Sequence, residues 1–155
     1  MRMTELYAIG AKTEIGSYAF DAETIIRFAR SFDPQVFHTD PEAAKQSLFG
    51  GLCASGWHSC AGWMKTFVAY WKQESARLKR DGLVPPTLGP SPGFQKLQWL
   101  RPVFAGDTVH YSATLLSSRD LASRPGWILN SILCEGENQN GIPVIRFEST
   151  VLEFV

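Results

Sequence analysis

Two residue types that trade protons near neutral pH stand five positions apart in the run Asp33-Pro34-Gln35-Val36-Phe37-His38-Thr39-Asp40. A carboxylate and an imidazole that share one water molecule can orient it, take a proton from it and return one elsewhere. Adding water across a double bond conjugated to a carbonyl needs just that. One group deprotonates the water, and another delivers a proton to the neighbouring carbon. Pro34 restrains the backbone between the two. A plainer reading stands beside this one: Asp before Pro often closes a turn, and His38 can be a hydrogen-bonded loop histidine.

A second run, Phe49-Gly50-Gly51-Leu52-Cys53-Ala54-Ser55-Gly56-Trp57, ends where an apolar helix is expected to begin. Two glycines allow a close approach of the chain, and Gly56 falls in the first helical turn. Backbone N–H groups there lack intrahelical partners and sit at the positive end of the helix dipole. The Gly56 amide can therefore hold an oxygen that gains negative charge, such as a thioester carbonyl becoming an enolate. The alternative is structural: Ser55 caps the helix, and Gly56 permits tight packing against a strand.

The elements that must position these runs follow from periodicity. Thr13 to Phe20 reads as a short strand. Asp21 offers an N-cap to a helix whose stripe is Ile25, Ile26, Phe28 and Ala29, ending near Arg30. Ser31 to Gly51 reads as a loop with a helical turn after Pro41. The long helix, about Ser55 to Lys79, carries Trp57, Cys60, Ala61, Met64, Phe67, Val68 and Trp71 at helical spacing, with Trp63 and Tyr70 on its flank. Such a helix must be surrounded by other structure, and Asp81-Gly82 stops it. Leu83 to Gly93, with four prolines, reads as an irregular connector. Four strands follow, near Phe94–Phe104, Thr108–Ser117, Trp127–Glu137 and Pro143–Val155, with breaks at Gly106-Asp107, Pro125-Gly126 and Asn140-Gly141. Short connections make that sheet antiparallel. The expected class is α+β, a sheet curled around one buried helix, in a single domain spanning 1–155. Its open sheet edges favour a homodimer.

Fifteen Lys+Arg balance fifteen Asp+Glu, so the 155-residue chain has a formal net charge of zero. It has no bulk field to hold nucleic acid or an anionic membrane, and neither is expected as a partner. Any basic patch must be local. With 45% apolar and 19% charged residues, a packed core is expected. Cys53, Cys60 and Cys134 match no zinc signature and read as buried thiols. The start of the chain lacks a secretory pattern, and no run reaches the ~20 apolar residues of a membrane span. A cytoplasmic location is expected. Among the remaining polar positions, His58 reads as helix packing, His110 as the solvent side of a strand, and Arg101, Arg119 and Arg124 as solvated surface.

Taken together, the two runs resemble the MaoC-like, or R-specific enoyl-CoA hydratase, family. Asp33, His38 and Asp40 fall on the spacing of that family's Gly-Asp-x-Asn-Pro-x-His-x-Asp loop. Phe49-Gly50 and Ala54-Ser55-Gly56 fall on its Phe-Gly and Ala-His-Gly run, and Arg101 to Thr108 is similar to the strand–turn–strand that follows. The resemblance implies the hot-dog fold and reversible syn hydration of trans-2-enoyl-CoA thioesters to (R)-3-hydroxyacyl-CoA. It also implies Asp33 and His38 as the catalytic acid–base pair, and substrate contacts at the Gly56 amide, Gln35 and Ser55. No metal or organic cofactor is implied; coenzyme A belongs to the acyl-CoA substrate. The chain departs from the pattern at Phe32, Gln35, Val36 and Ser55, where the family has Gly, Asn, Pro and His. Two other readings share the fold. One is an acyl-CoA thioesterase, although Gly50 to Gln73 holds no Asp or Glu for a helix carboxylate. The other is a non-catalytic acyl-thioester-binding subunit.

Overall fold

A computed structural model describes residues 1–155. Six strands form one antiparallel sheet: β1 (Lys12–Ala19), β2 (Thr87–Leu88), β3 (Phe94–Trp99), β4 (Thr108–Asp120), β5 (Trp127–Glu137) and β6 (Pro143–Phe154). The order is β1-β4-β5-β6, and β2 and β3 both pair with the far side of β6. Five helices accompany them: α1 (Met3–Leu6), α2 (Ala22–Phe32), α3 (Val36–Thr39), α4 (Pro41–Lys45) and α5 (Gly56–Arg80). The sheet curls around α5, the arrangement expected from the pattern of strands after one long helix. No helix is long and apolar enough to cross a membrane.

Local chemistry explains most boundaries. Asp21 caps α2 by accepting from the Thr24 amide at 2.8 Å and its hydroxyl at 2.9 Å. Asp40 caps α4, where Pro41 takes the first position. At the end of α5, Gly82 adopts φ +76°, the left-handed conformation that closes a helix. Several elements differ from the sequence reading, among them β4, which runs on to Asp120, and three others. First, α2 runs on to Phe32, so the loop begins only at Asp33. Second, β3 stops at Trp99, because Pro102 has no N–H to continue a ladder; only an isolated bridge joins Phe104 to Cys53. Third, the connector contains β2, two residues held by the end of β6 and too short to show alternation.

Packing between α5 and the sheet turns on Tyr111, fully buried on β4. Its hydroxyl donates to the Ser59 carbonyl of α5 at 2.8 Å, and Trp63 Nε1 donates to the Ser112 carbonyl at 3.0 Å. Tyr111 fits because glycine stands on both sides. A Cβ on Gly62 would lie 2.6 Å from its hydroxyl, and one on Gly136 would lie 2.9 Å from its ring.

The face that α5 turns to the sheet is thus His58, Ser59, Gly62, Trp63 and Thr66, small and polar around one indole. The helix is therefore less enclosed than its apolar stripe suggests: Cys60 and Phe67 pack against the core, and other members do not. Trp57, Met64 and Val68 point away from the sheet and are about half exposed. The helix is enclosed on one side only, because Gly62 and Ser59 bring its backbone too near the sheet for larger side chains. Gly62→Ala must displace Tyr111. It should destabilise the fold by about 1–3 kcal/mol, seen as a lower urea midpoint at unchanged slope; an unaltered midpoint would contradict this packing.

Candidate active site

The Asp33 loop is held between α2 and α3, and its position is set by backbone bonds to the segment that leads into α5. The Cys53 amide donates to the Phe37 carbonyl at 3.1 Å, and the Cys53 carbonyl accepts from His38 Nδ1 at 2.6 Å. On its other side the same segment is sewn to the stretch that joins β3 to β4. Ala54 N donates to Val103 O at 2.8 Å, and Ala105 N to Leu52 O at 3.0 Å. Three stretches distant in sequence are thus locked into one wall.

A carbonyl only accepts, so Nδ1 of His38 carries the hydrogen. In the neutral ring Nε2 is then bare, and it faces Asp33 Oδ2 at 3.4 Å. His38 is buried, and the Asp33 side chain is partly exposed to the cavity. The carboxylate is gripped from both ends: Ser55 Oγ donates to Oδ2 and Gln35 Nε2 to Oδ1, each at 2.7 Å. Burial pushes the Asp33 carboxyl up, but the hydrogen bonds from Ser55 and Gln35, with His38 adjacent, outweigh it and hold the group below the usual carboxylate range. Nearby, burial first and Asp33 second push the Cys53 thiol up to about 11, so it stays protonated.

Ser55 occupies the N-cap position of α5, yet its hydroxyl makes no capping bond because it is given to Asp33. The Gly56 amide is left with no backbone partner. Glycine is required there, since a Cβ would overlap the Trp99 indole. Both readings of Gly56 describe one position: close packing against β3 and an unpaired amide.

Asp33, His38, Gln35 and Gly56 line one cavity of about 550 Å³. Its walls are mostly apolar and rich in rings, among them Phe37, Phe49, Trp57 and Trp99. Asp40 is not drawn in; it serves α4. Phe32 and Val36 are exposed, and Phe32 ends α2 without positive φ, so the bulky residue at the family's glycine position bears no backbone strain. His58 is buried elsewhere, stacked on Phe28 at 4.5 Å and 3.1 Å from the Tyr18 hydroxyl, and burial lowers it to about 4. His110 is exposed, as expected. Sequence reasoning missed the backbone of Cys53, which no side-chain pattern marks. It also missed the role of Trp99, which only its register opposite Gly56 reveals. No three His, Cys, Asp or Glu side chains gather where they could share a metal ion.

The depressed carboxyl has a pH consequence. A group whose folded value lies below its unfolded one, about 3.9 for Asp, stabilises the fold above that pH and loses the contribution as pH falls through the folded value. Ser55→Ala removes one donor. It should raise the Asp33 titration midpoint in carboxyl-carbon NMR and move the acid-unfolding limb to higher pH. An unmoved midpoint would mean the hydroxyl does not hold the carboxylate.

The family model described as "MaoC like domain" matches residues 7–126. The MaoC-like dehydratase of Rhodospirillum rubrum is 33% identical, with 99% of this chain and 97% of that chain covered at a TM-score of 0.81. The R-hydratase PhaJ1 of Pseudomonas aeruginosa, in its unliganded form, is 21% identical, covering 92% and 79% at a TM-score of 0.64, and shares the fold. The uncharacterized protein YdeM of Bacillus subtilis (strain 168) is 24% identical over 152 residues, 98% of each chain. With its curled antiparallel sheet, its central helix and a family match over most of its length, this chain belongs to the MaoC-like family of hot-dog dehydratases.

Proposed function

We propose that this protein adds water reversibly to trans-2-enoyl-CoA thioesters, giving (R)-3-hydroxyacyl-CoA. The observation that carries the reading is Nε2 of His38 facing the Asp33 carboxylate at 3.4 Å, beside the unpaired Gly56 amide. A water between Asp33 Oδ2 and Nε2 has an acceptor on each side. In the hydration direction, Nε2 takes one water proton while the water oxygen bonds to C3 of the enoyl group. The electrons of the double bond move toward C2 and the thioester carbonyl, whose oxygen the Gly56 amide stabilises as it becomes an enolate. The imidazolium then pairs with Asp33 and returns its proton to C2 on the same face. Dehydration runs the steps backward. Neither metal nor organic cofactor has a step here, and coenzyme A enters with the substrate. Gln35 and Ser55 act as positioning residues, since each donates to the carboxylate.

The working unit in this reading is a homodimer. Trp57, Met64 and Val68 form an exposed apolar line on α5 next to the cavity, and a second copy is the occupant that would cover it. A dimer by sedimentation that becomes a monomer on Val68→Asp supports this assembly; a monomeric parent protein counts against it.

The test of activity is the loss of conjugated-enoyl absorbance from crotonyl-CoA without release of free thiol. His38→Ala and Asp33→Asn should each lower the rate by about 10²–10⁴-fold, the range for a removed acid–base group, with the fold retained. Thiol release with the double bond intact would indicate a thioesterase. Full activity in either variant would remove the pair from the chemistry.

A further inference from the structure

Arg101 is the single Lys or Arg among the residues lining the active cavity, and it forms no ion pair in this chain. Its Nη1 donates to the carbonyl of Leu100 at 3.1 Å, which leaves the rest of the guanidinium fork free. The backbone that carries it is fixed on both sides. Leu100 N donates to Val144 O at 2.8 Å, and Val103 O accepts from Ala54 N at 2.8 Å. Two residues before Arg101, the Trp99 indole covers the position where Gly56 would carry a side chain. An exposed, unpaired cation therefore stands on a fixed backbone, in the wall that also positions the Gly56 amide. The other formal charge on the cavity, Asp33, is engaged by Ser55, Gln35 and His38.

A guanidinium fork suits a planar or tetrahedral oxyanion. Arg101 is exposed on the cavity wall, where the fork can meet a group that a substrate carries in. We propose that Arg101 binds an anionic group of the substrate and so sets which thioesters this site prefers. Two parts of a substrate could supply the anion: a phosphate of the coenzyme A portion, or a carboxylate at the far end of the acyl group. The inference rests on the hydratase reading for the identity of the substrate, and its test is arranged so that the two can fail separately.

The test compares the parent protein with Arg101→Met and Arg101→Lys on three enoyl thioesters. These are crotonyl-CoA, the crotonyl thioester of N-acetylcysteamine, which has no phosphate, and the glutaconyl thioester of N-acetylcysteamine, which has a carboxylate and no phosphate. If phosphate is the ligand, Arg101→Met should lose kcat/KM on crotonyl-CoA by about tenfold more than on the crotonyl N-acetylcysteamine thioester, about the worth of one charge-assisted bond. If a carboxylate is the ligand, the extra loss falls on the glutaconyl thioester instead. In both cases KM carries most of the change, and Arg101→Lys, which keeps the charge without the fork, falls between. Equal losses on all three thioesters in a folded variant would overturn the proposal. Should the parent protein hydrate none of them, the hydratase reading fails, and calorimetric binding of crotonyl-CoA then decides on Arg101. Tighter binding by the parent than by Arg101→Met supports the inference; equal binding, or none, overturns it.

Discussion

The backbone of Cys53 is the constraint on which the site depends. Its N–H reaches the carbonyl of Phe37 and its C=O takes the Nδ1 hydrogen of His38, so one peptide segment fixes both the path of the Asp33–His38 loop and which ring nitrogen faces Asp33. Were Nδ1 unpaired, the ring could carry its hydrogen on either nitrogen, and a bare Nε2 toward Asp33 would be one state of two. The bond is buried, where losing it would leave a carbonyl without a partner. Because neighbouring Leu52 and Ala54 bond to Ala105 and Val103, the same segment also registers the loop against the strand side of the cavity.

A second constraint, close approach at glycine, places α5 within this frame. Tyr111 fills the space between Gly62 and Gly136, and Trp99 fills the space over Gly56. Each aromatic ring defines a distance that a methyl group would violate. The outcome is a helix whose first amide is unpaired yet held still, which suits an oxyanion site better than a mobile loop would. Proximity to the sheet also dictates which helix face is buried. Small and polar residues go inward around Trp63, and Trp57, Met64 and Val68 are left on the outer side.

How much of this was legible in the sequence follows from the range of each signal. Period-two alternation in β4 and β6 and the Asn140-Gly141 turn are local, so the antiparallel sheet could be read directly. The Asp33–His38 spacing and the Gly56 helix start are local too, and the structure brings them into one cavity. The buried face of α5 was not legible, because hydrophobicity predicts burial only when the partner surface has room for large side chains. Tyr111 removes that room, and its register against Gly62 is a long-range fact. The same holds for Ser55. A serine before a helix ordinarily caps it, and only the folded position of Asp33, 2.7 Å away, diverts the hydroxyl. The Cys53 carbonyl has no sequence signature at all, since every residue has one.

The central claim is that one water, held between Asp33 and His38, supplies both the hydroxyl and the proton to the same face of the double bond. The most direct test is hydration of crotonyl-CoA in deuterium oxide, with the configuration at C2 and C3 of the product read by NMR. The account predicts a single diastereomer, with deuterium and hydroxyl added syn and the (R) configuration at C3. Anti addition, or a mixture of diastereomers at early conversion, would contradict it.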